Sequence, residues 1–119
     1  MEKLLKINIY FDFYGKLLTP KQYQIIELYY LNDYSLTEIA ECLDITRQGV
    51  FDTLKRAEDK LFNYEKQLGL VEKFQSSQSA IKNIRRLALE INEIGIKANN
   101  KNIINKSQEI EEAISRVVI

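Results

Sequence analysis

Apolar positions recur at helical spacing along almost the whole chain, and short polar breaks divide them into separate runs. The sharpest lies between Ser35 and Leu61. Ser35 is placed to cap a helix, and Glu38, three residues on, completes a capping box. Leu36, Ile39, Ala40 and Leu43 then share one face. Thr46 is placed to cap a second helix, whose apolar stripe is Val50, Leu54, Ala57 and Leu61. Only Leu43-Asp44-Ile45 separates the two, so the join is a tight corner and the pair reads as a helix-turn-helix. Ala40 suits the point where crossing helices approach most closely. Asp44 stands where such a corner often carries Gly, and Asp tolerates the left-handed backbone less readily than Gly.

Two helices are predicted before this motif. The first covers residues 2 to about 14, with Leu4, Ile7, Phe11 and Tyr14 in one stripe and Gly15 at its end. Tyr10 and Phe13 widen the apolar arc, which implies cover on more than one side. The second has Thr19 as its cap, Pro20 in first position and Gln22 closing another capping box, and runs to about Leu31. Ile25, Ile26, Leu28 and Tyr29 are its packing residues. The four helices make one unit.

The second helix of the motif continues to about Leu68, where Gly69 provides a stop or kink. A long helix follows from Val71 to about Ala98, with Phe74, Ile81, Ile84, Ala88 and Ile91 near heptad spacing, widened by Leu87 and Ile94. After a turn at Asn99-Asn100, Ile103, Ser107, Ile110, Ile114 and Val117 form a last seam. The expected architecture is all-α. A helix-turn-helix domain over residues 1–70 precedes a C-terminal helical hairpin over residues 71–119. Two such helices cannot bury both faces alone. Dimerisation through them is the favoured expectation, and an intramolecular hairpin is the alternative.

Composition narrows the chemistry. Lys plus Arg equals Asp plus Glu at 17 each, so the chain lacks the basic excess usual in nucleic-acid binders. There is no His, which removes the commonest general base and the commonest zinc ligand. No phosphate loop, metal-ligand spacing or catalytic constellation replaces it, so no enzyme, cofactor or metal is expected. The single Cys42 rules out an internal disulfide and reads as a small buried residue. Adjacent carboxylates such as Glu58-Asp59 and Glu111-Glu112 read as solvated faces. The N-terminal apolar run is broken by Asn8 and Asp12, matching neither a signal peptide nor a membrane span, so a cytoplasmic protein is expected.

The candidate site is the start of the motif's second helix. Residues 47, 48, 51, 52 and 55 point away from the Val50–Leu54 stripe. Arg47 can pair with guanine and Gln48 with adenine, Thr46 and Lys55 are candidates for the phosphates, and Arg56 is a further candidate for nucleic-acid contact. Asp52 suits only a cytosine amino group, and Phe51 fits a thymine methyl group or a protein partner equally well. Between Ser35 and Phe62 the basic residues are Arg47, Lys55, Arg56 and Lys60, against six acidic ones. Such a motif starts with an electrostatic handicap on DNA. Lys82, Arg85 and Arg86 form a concentrated basic patch further on, a second candidate contact for RNA or protein.

The blocks FDFYGKLLTPKQ, ELYYLNDYSLTEIAE and TRQGVFDTLKRAEDKLFNYEKQL together resemble the bacterial YlxM family of small helix-turn-helix proteins. Genes of that family typically stand beside the gene for the signal recognition particle GTPase. The likeness covers residues 3 to about 74. It implies an all-α regulator of the signal recognition particle pathway that works through DNA, or an adaptor that contacts the particle's RNA or protein. The motif is also similar to region 4 of sigma factors, in which a Thr-Arg-Glu start reads promoter DNA. Here that start is Thr46-Arg47-Gln48, and Gly49, Phe51 and Asp52 differ from the polar or basic residues expected after it.

Overall fold

The computed structural model describes residues 2–117. Helix α1 spans Lys3–Tyr14 and gives way to a 3-10 turn over Gly15–Leu17. Helix α2 spans Pro20–Ile26, and both halves of the Thr19–Gln22 capping box form. It does not continue as regular helix to Leu31. Residues Glu27–Leu31 widen into a π turn, which adds a residue to the turn and shifts the tyrosines that follow. Helix α3 is Leu36–Leu43 and helix α4 is Arg47–Leu68. Helices α5, Leu70–Lys97, and α6, Lys101–Ser115, complete an all-α chain with no strand among the described residues.

Burial follows the apolar stripes. Ile7, Phe11 and Tyr14 of α1, Ile25 and Ile26 of α2, and Ile39 and Ala40 of α3 close over Val50, Leu54, Ala57 and Leu61 of α4. Leu4 is the exception, half exposed at the end of its stripe, and Phe13 is also exposed. The aromatic residues of α1 are held by edge and tilted contacts, Tyr10 on Phe62 at 5.3 Å and Phe11 on Tyr23 at 4.6 Å. Cys42, expected inside, is exposed. It sits about 100° round the helix from the Ile39–Leu43 stripe, on a flank that the described residues leave open.

Glu58 corrects another expectation. Instead of lying on a solvated face, it is buried, because the π turn swings Tyr30 over it. The Tyr30 hydroxyl donates to Glu58 Oε2, and Lys3 Nζ lies 2.8 Å from Oε1. One carboxylate thus ties the start of α1 and the π turn to α4. At the far end of α4, Gly69 takes the left-handed conformation at φ 61°, which a side chain would resist. Tyr14 donates to Glu65 Oε1 and accepts from the Leu70 N–H at 3.1 Å, while Glu65 also accepts from the Val71 N–H at 3.1 Å. These groups satisfy backbone donors that open α5.

The chain divides into two units, Met1–Val71 and Glu72–Ile119. The second is an antiparallel hairpin. Asn99 turns the chain at φ 51°, and the Asn100 side chain caps α6 by accepting from the N–H groups of Asn102 and Ile103. Ser107 Oγ donates to Asn92 Oδ1 at 3.0 Å, and Ala88 and Ser107 are buried between the helices. At Gly95 the two backbones approach so closely that a Cβ would stand 2.9 Å from Ile103 Cγ2 and 3.0 Å from the Ile104 nitrogen.

Gly95→Ala should therefore destabilise the hairpin. Its overpacking cost of about 1–3 kcal/mol outweighs the roughly 1 kcal/mol that Ala gains over Gly in a helix. Thermal unfolding followed by circular dichroism should show the C-terminal helices melting earlier.

Alkali gives a second test. Burial, followed by its hydrogen bond to Glu58, raises the Tyr30 pKa well above the ordinary 10.0, and burial likewise raises those of Tyr10 and Tyr14. A raised folded-state pKa contributes stability that is complete below the unfolded value. That contribution is lost as pH climbs through the folded value. Stability should fall steeply above about pH 10, and Tyr30→Phe should flatten the fall. Urea unfolding at a series of alkaline pH values measures it.

Candidate nucleic-acid interface

The geometry of the site begins with two caps. Ser35 Oγ accepts from the Glu38 N–H at 3.1 Å, and Glu38 Oε1 accepts from the Ser35 N–H at 2.9 Å. That backbone donation holds the Glu38 carboxyl below the usual carboxylate range. The corner after α3 turns on Asp44 in the left-handed region, φ 54° and ψ 47°, the conformation that an Asp in place of Gly was expected to take. The Ile45 N–H returns to the Ala40 carbonyl at 3.1 Å and closes the corner. Thr46 Oγ1 then accepts from the Gly49 N–H at 3.0 Å and starts α4.

With Val50 and Leu54 fixed in the core, the first turns of α4 have their opposite side in the open. Thr46, Arg47, Gln48, Phe51, Asp52 and Lys55 are all exposed. Arg47, Gln48 and Phe51 line an open concavity of about 460 Å³ with Leu36 of α3. Arg47 makes no ion pair or side-chain hydrogen bond among the described residues, so its guanidinium is available. Gln48 Nε2 donates to Asp52 Oδ1 at 3.0 Å, one helical turn on. The pair occupies the amide that would otherwise read adenine and partly neutralises the polar demand of Asp52. Lys55 lies in a neighbouring concavity of about 280 Å³ with Lys3, Tyr29, Tyr30, Leu36, Phe51, Leu54 and Glu58.

Arg56 stands apart from this group. It lines a different groove with Gln22, Asp59, Lys60 and Asn63, because position 56 lies half a turn from Arg47 on the helix. The cations Lys82, Arg85 and Arg86 belong to the second unit. Arg86 is paired with Glu90 at 3.0 Å and also donates to Asn83, and Arg85 reaches Glu111 of α6 at 3.6 Å. Lys82 is exposed. Two of the three charges of that patch are thus answered locally.

Sequence reasoning missed Leu36, Tyr29, Tyr30 and Lys3 as neighbours of the site. Leu36 was legible only as a core position. The tyrosines arrive through the π turn, which leaves no clear periodic mark in the sequence.

A paired helix corner with a solvent-facing second helix defines a helix-turn-helix protein. The chain belongs to the UPF0122 family, whose model, "Putative helix-turn-helix protein, YlxM / p13 like", matches residues 1–103. A UPF0122 protein of Caldanaerobacter subterraneus subsp. tengcongensis is 57% identical over 84 residues, covering 71% of this chain and 72% of the relative. Another, from Desulforamulus reducens, is 56% identical over 88 residues, covering 73% and 75%. One from a Geobacillus strain is 44% identical over 90 residues, covering 76% and 82%. No helix among the described residues is long and apolar enough to cross a membrane.

Replacing Thr46 by Ala should cost about 1 kcal/mol of unfolding free energy, the usual value of an N-cap. Urea denaturation reads it, and retention of the full stability would mean that the hydroxyl does not hold the first turn of α4.

Proposed function

We propose that this protein is a DNA-binding regulatory protein that inserts the first turns of α4 into the major groove of a duplex. The observation that carries the reading is the unobstructed surface at the start of α4. Among the described residues Arg47 is uncommitted there, and none of their helices covers it, Gln48 or Phe51. In this role Arg47 supplies the paired donors that match a guanine edge, and Thr46 and Lys55 stand where phosphates pass. The Gln48–Asp52 pair presents a donor and acceptors together, which suits a mixed base-pair edge better than a run of phosphates. The pathway we assign, that of the signal recognition particle, rests on the sequence blocks that resemble the YlxM family. A cytoplasmic site of action follows from the same assignment.

A second reading is favoured by one observation. Phe51 is 49% exposed and stands with Leu36 between the two adjoining concavities, the second of which also presents Tyr29, Tyr30 and Leu54. An exposed aromatic against an apolar wall suits a protein contact, and the acidic balance of the motif weakens non-specific DNA affinity. On that reading the chain is an adaptor for protein or RNA components of the same pathway.

Selection of duplexes from a random pool, followed by fluorescence anisotropy over a range of salt, separates the two. DNA binding predicts affinity that falls steeply with salt, and a loss of roughly tenfold or more in Arg47→Ala on the selected duplex. Duplex affinity unchanged in Arg47→Ala, or no enrichment from the pool, would remove α4 from DNA recognition and leave the adaptor.

A further inference from the structure

Gln48 and Asp52 stand two positions before and two positions after Val50, so each lies about 160° round α4 from that buried residue. Together they form the crest of the exposed side, with Phe51 and Lys55 on one flank and Arg56 on the other. Their link has a direction. Gln48 Nε2 donates to Asp52 Oδ1 at 3.0 Å. Turned the other way, the amide would set its oxygen against the carboxylate, acceptor on acceptor. The nearby cations leave Asp52 alone. Lys55 turns to Asp59 at 3.8 Å, and Asp52 forms no ion pair among the described residues.

An unpaired carboxylate on the crest of a groove-inserting helix makes a definite chemical demand, because it can only accept. Gln48 occupies part of Oδ1, and Oδ2 has no partner among the described residues. Phosphate oxygens repel the group. So do O6 and N7 of guanine and O4 of thymine, which are acceptors themselves. Adenine offers its N6 amino group beside the acceptor N7, an edge that a carboxylate meets only by half. Cytosine presents the N4 amino group and no acceptor of its own in the major groove. Cytosine is the base that answers Asp52 fully.

We propose that Asp52 is the specificity-determining residue of the interface, accepting from the N4 amino group of one cytosine, with Gln48 as the positioning residue that holds the carboxylate. The assignment rests on the reading of α4 as a helix that enters the major groove. Gln48 then spends its amide on the protein instead of on adenine. Asp52 also acts on the wrong DNA. Wherever no amino group lies beneath it, a charge is desolvated against acceptors, which subtracts from the sequence-independent attraction of the α4 cations. Loss of an ordinary contact weakens binding, whereas loss of this carboxylate should strengthen binding to most duplexes.

Selection from a random duplex pool, followed by fluorescence anisotropy at fixed salt, tests the assignment. The wild-type motif should contain a cytosine whose replacement by a pyrimidinone lacking the amino group costs roughly tenfold or more in affinity. In Asp52→Ala the same replacement should cost less than about twofold, and affinity for an unselected duplex should rise several-fold. Asp52→Asn, which keeps the shape and an acceptor but not the charge, should raise that general affinity too. Gln48→Leu should give a replacement cost between those of wild type and Asp52→Ala, with no other base of the motif relaxed. An Arg47-dependent motif with an unchanged cytosine cost in Asp52→Ala would overturn the assignment and leave α4 in the groove. General affinity that does not rise in either Asp52 variant, or an adenine position lost in Gln48→Leu, would do the same. No selected motif, or one indifferent to Arg47→Ala, would overturn the groove reading and the Asp52 assignment together.

Discussion

Everything in the N-terminal unit depends on α4 having one side committed to the core. Val50, Leu54, Ala57 and Leu61 are spaced four, three and four residues apart, and α1, α2 and α3 all close on that row. The helical repeat then leaves no choice about the opposite side of the first two turns. Once Val50 is at zero exposure, Gln48 and Phe51 face away from the bundle, while Arg47, only about 60° round the helix from Val50, is exposed as the first residue of α4. The outward surface is thus a consequence of the packing and needs no separate stabilisation. It is also rigid, because the cap at Thr46 and the corner at Asp44 fix where α4 starts.

Glu58 completes this commitment in an unexpected currency. A buried carboxylate is costly unless it is paired and hydrogen-bonded, and here Lys3 and Tyr30 do both. The pairing is specific because three separate elements must converge to make it. It positions the π turn over α4, which in turn sets Tyr29 and Tyr30 beside Phe51 and Lys55. The site's aromatic neighbours are therefore held by a polar contact in the core, one step behind the surface where they are displayed.

Much of this was legible in the sequence, for reasons that differ by residue. The capping boxes at Thr19 and Ser35 and the stops at Gly69 and Asn99 are local signals, in which the side chain acts on backbone a few residues away, and each formed as read. The apolar stripes of α3 and α4 were legible because a single period accounts for them. Glu58 was not, because two adjacent carboxylates look alike until a tyrosine from another element arrives over one of them. Cys42 is exposed against expectation, since a small residue on a helix flank has no burial preference strong enough to overrule its position. Arg56 is adjacent to Lys55 in sequence, but consecutive helical positions diverge by about 100°, and the groove it lines is another one.

The apolar positions of α5 fall on more than one side of the helix. Read as one broad stripe, Ile81, Ile84, Ala88 and Ile91 seem to ask for a single partner. The contacts of α6 split them. The small residues Ala88 and Gly95 and the polar pair Asn92–Ser107 allow the close approach of the hairpin's own helices. Ile114 is buried with them and Ile103 and Ile104 pack at Gly95, while Ile84, Leu87 and Ile94 stay exposed. Helices joined by only three residues, Ala98, Asn99 and Asn100, run close together, which the absence of a side chain at Gly95 permits. A sequence in which the small and large positions were exchanged would bury its bulk within the hairpin and hold it more widely spaced. The close approach at Gly95 thus sets the spacing of the pair, and Ile103, Ile104 and Ile114 fill what the small residues leave.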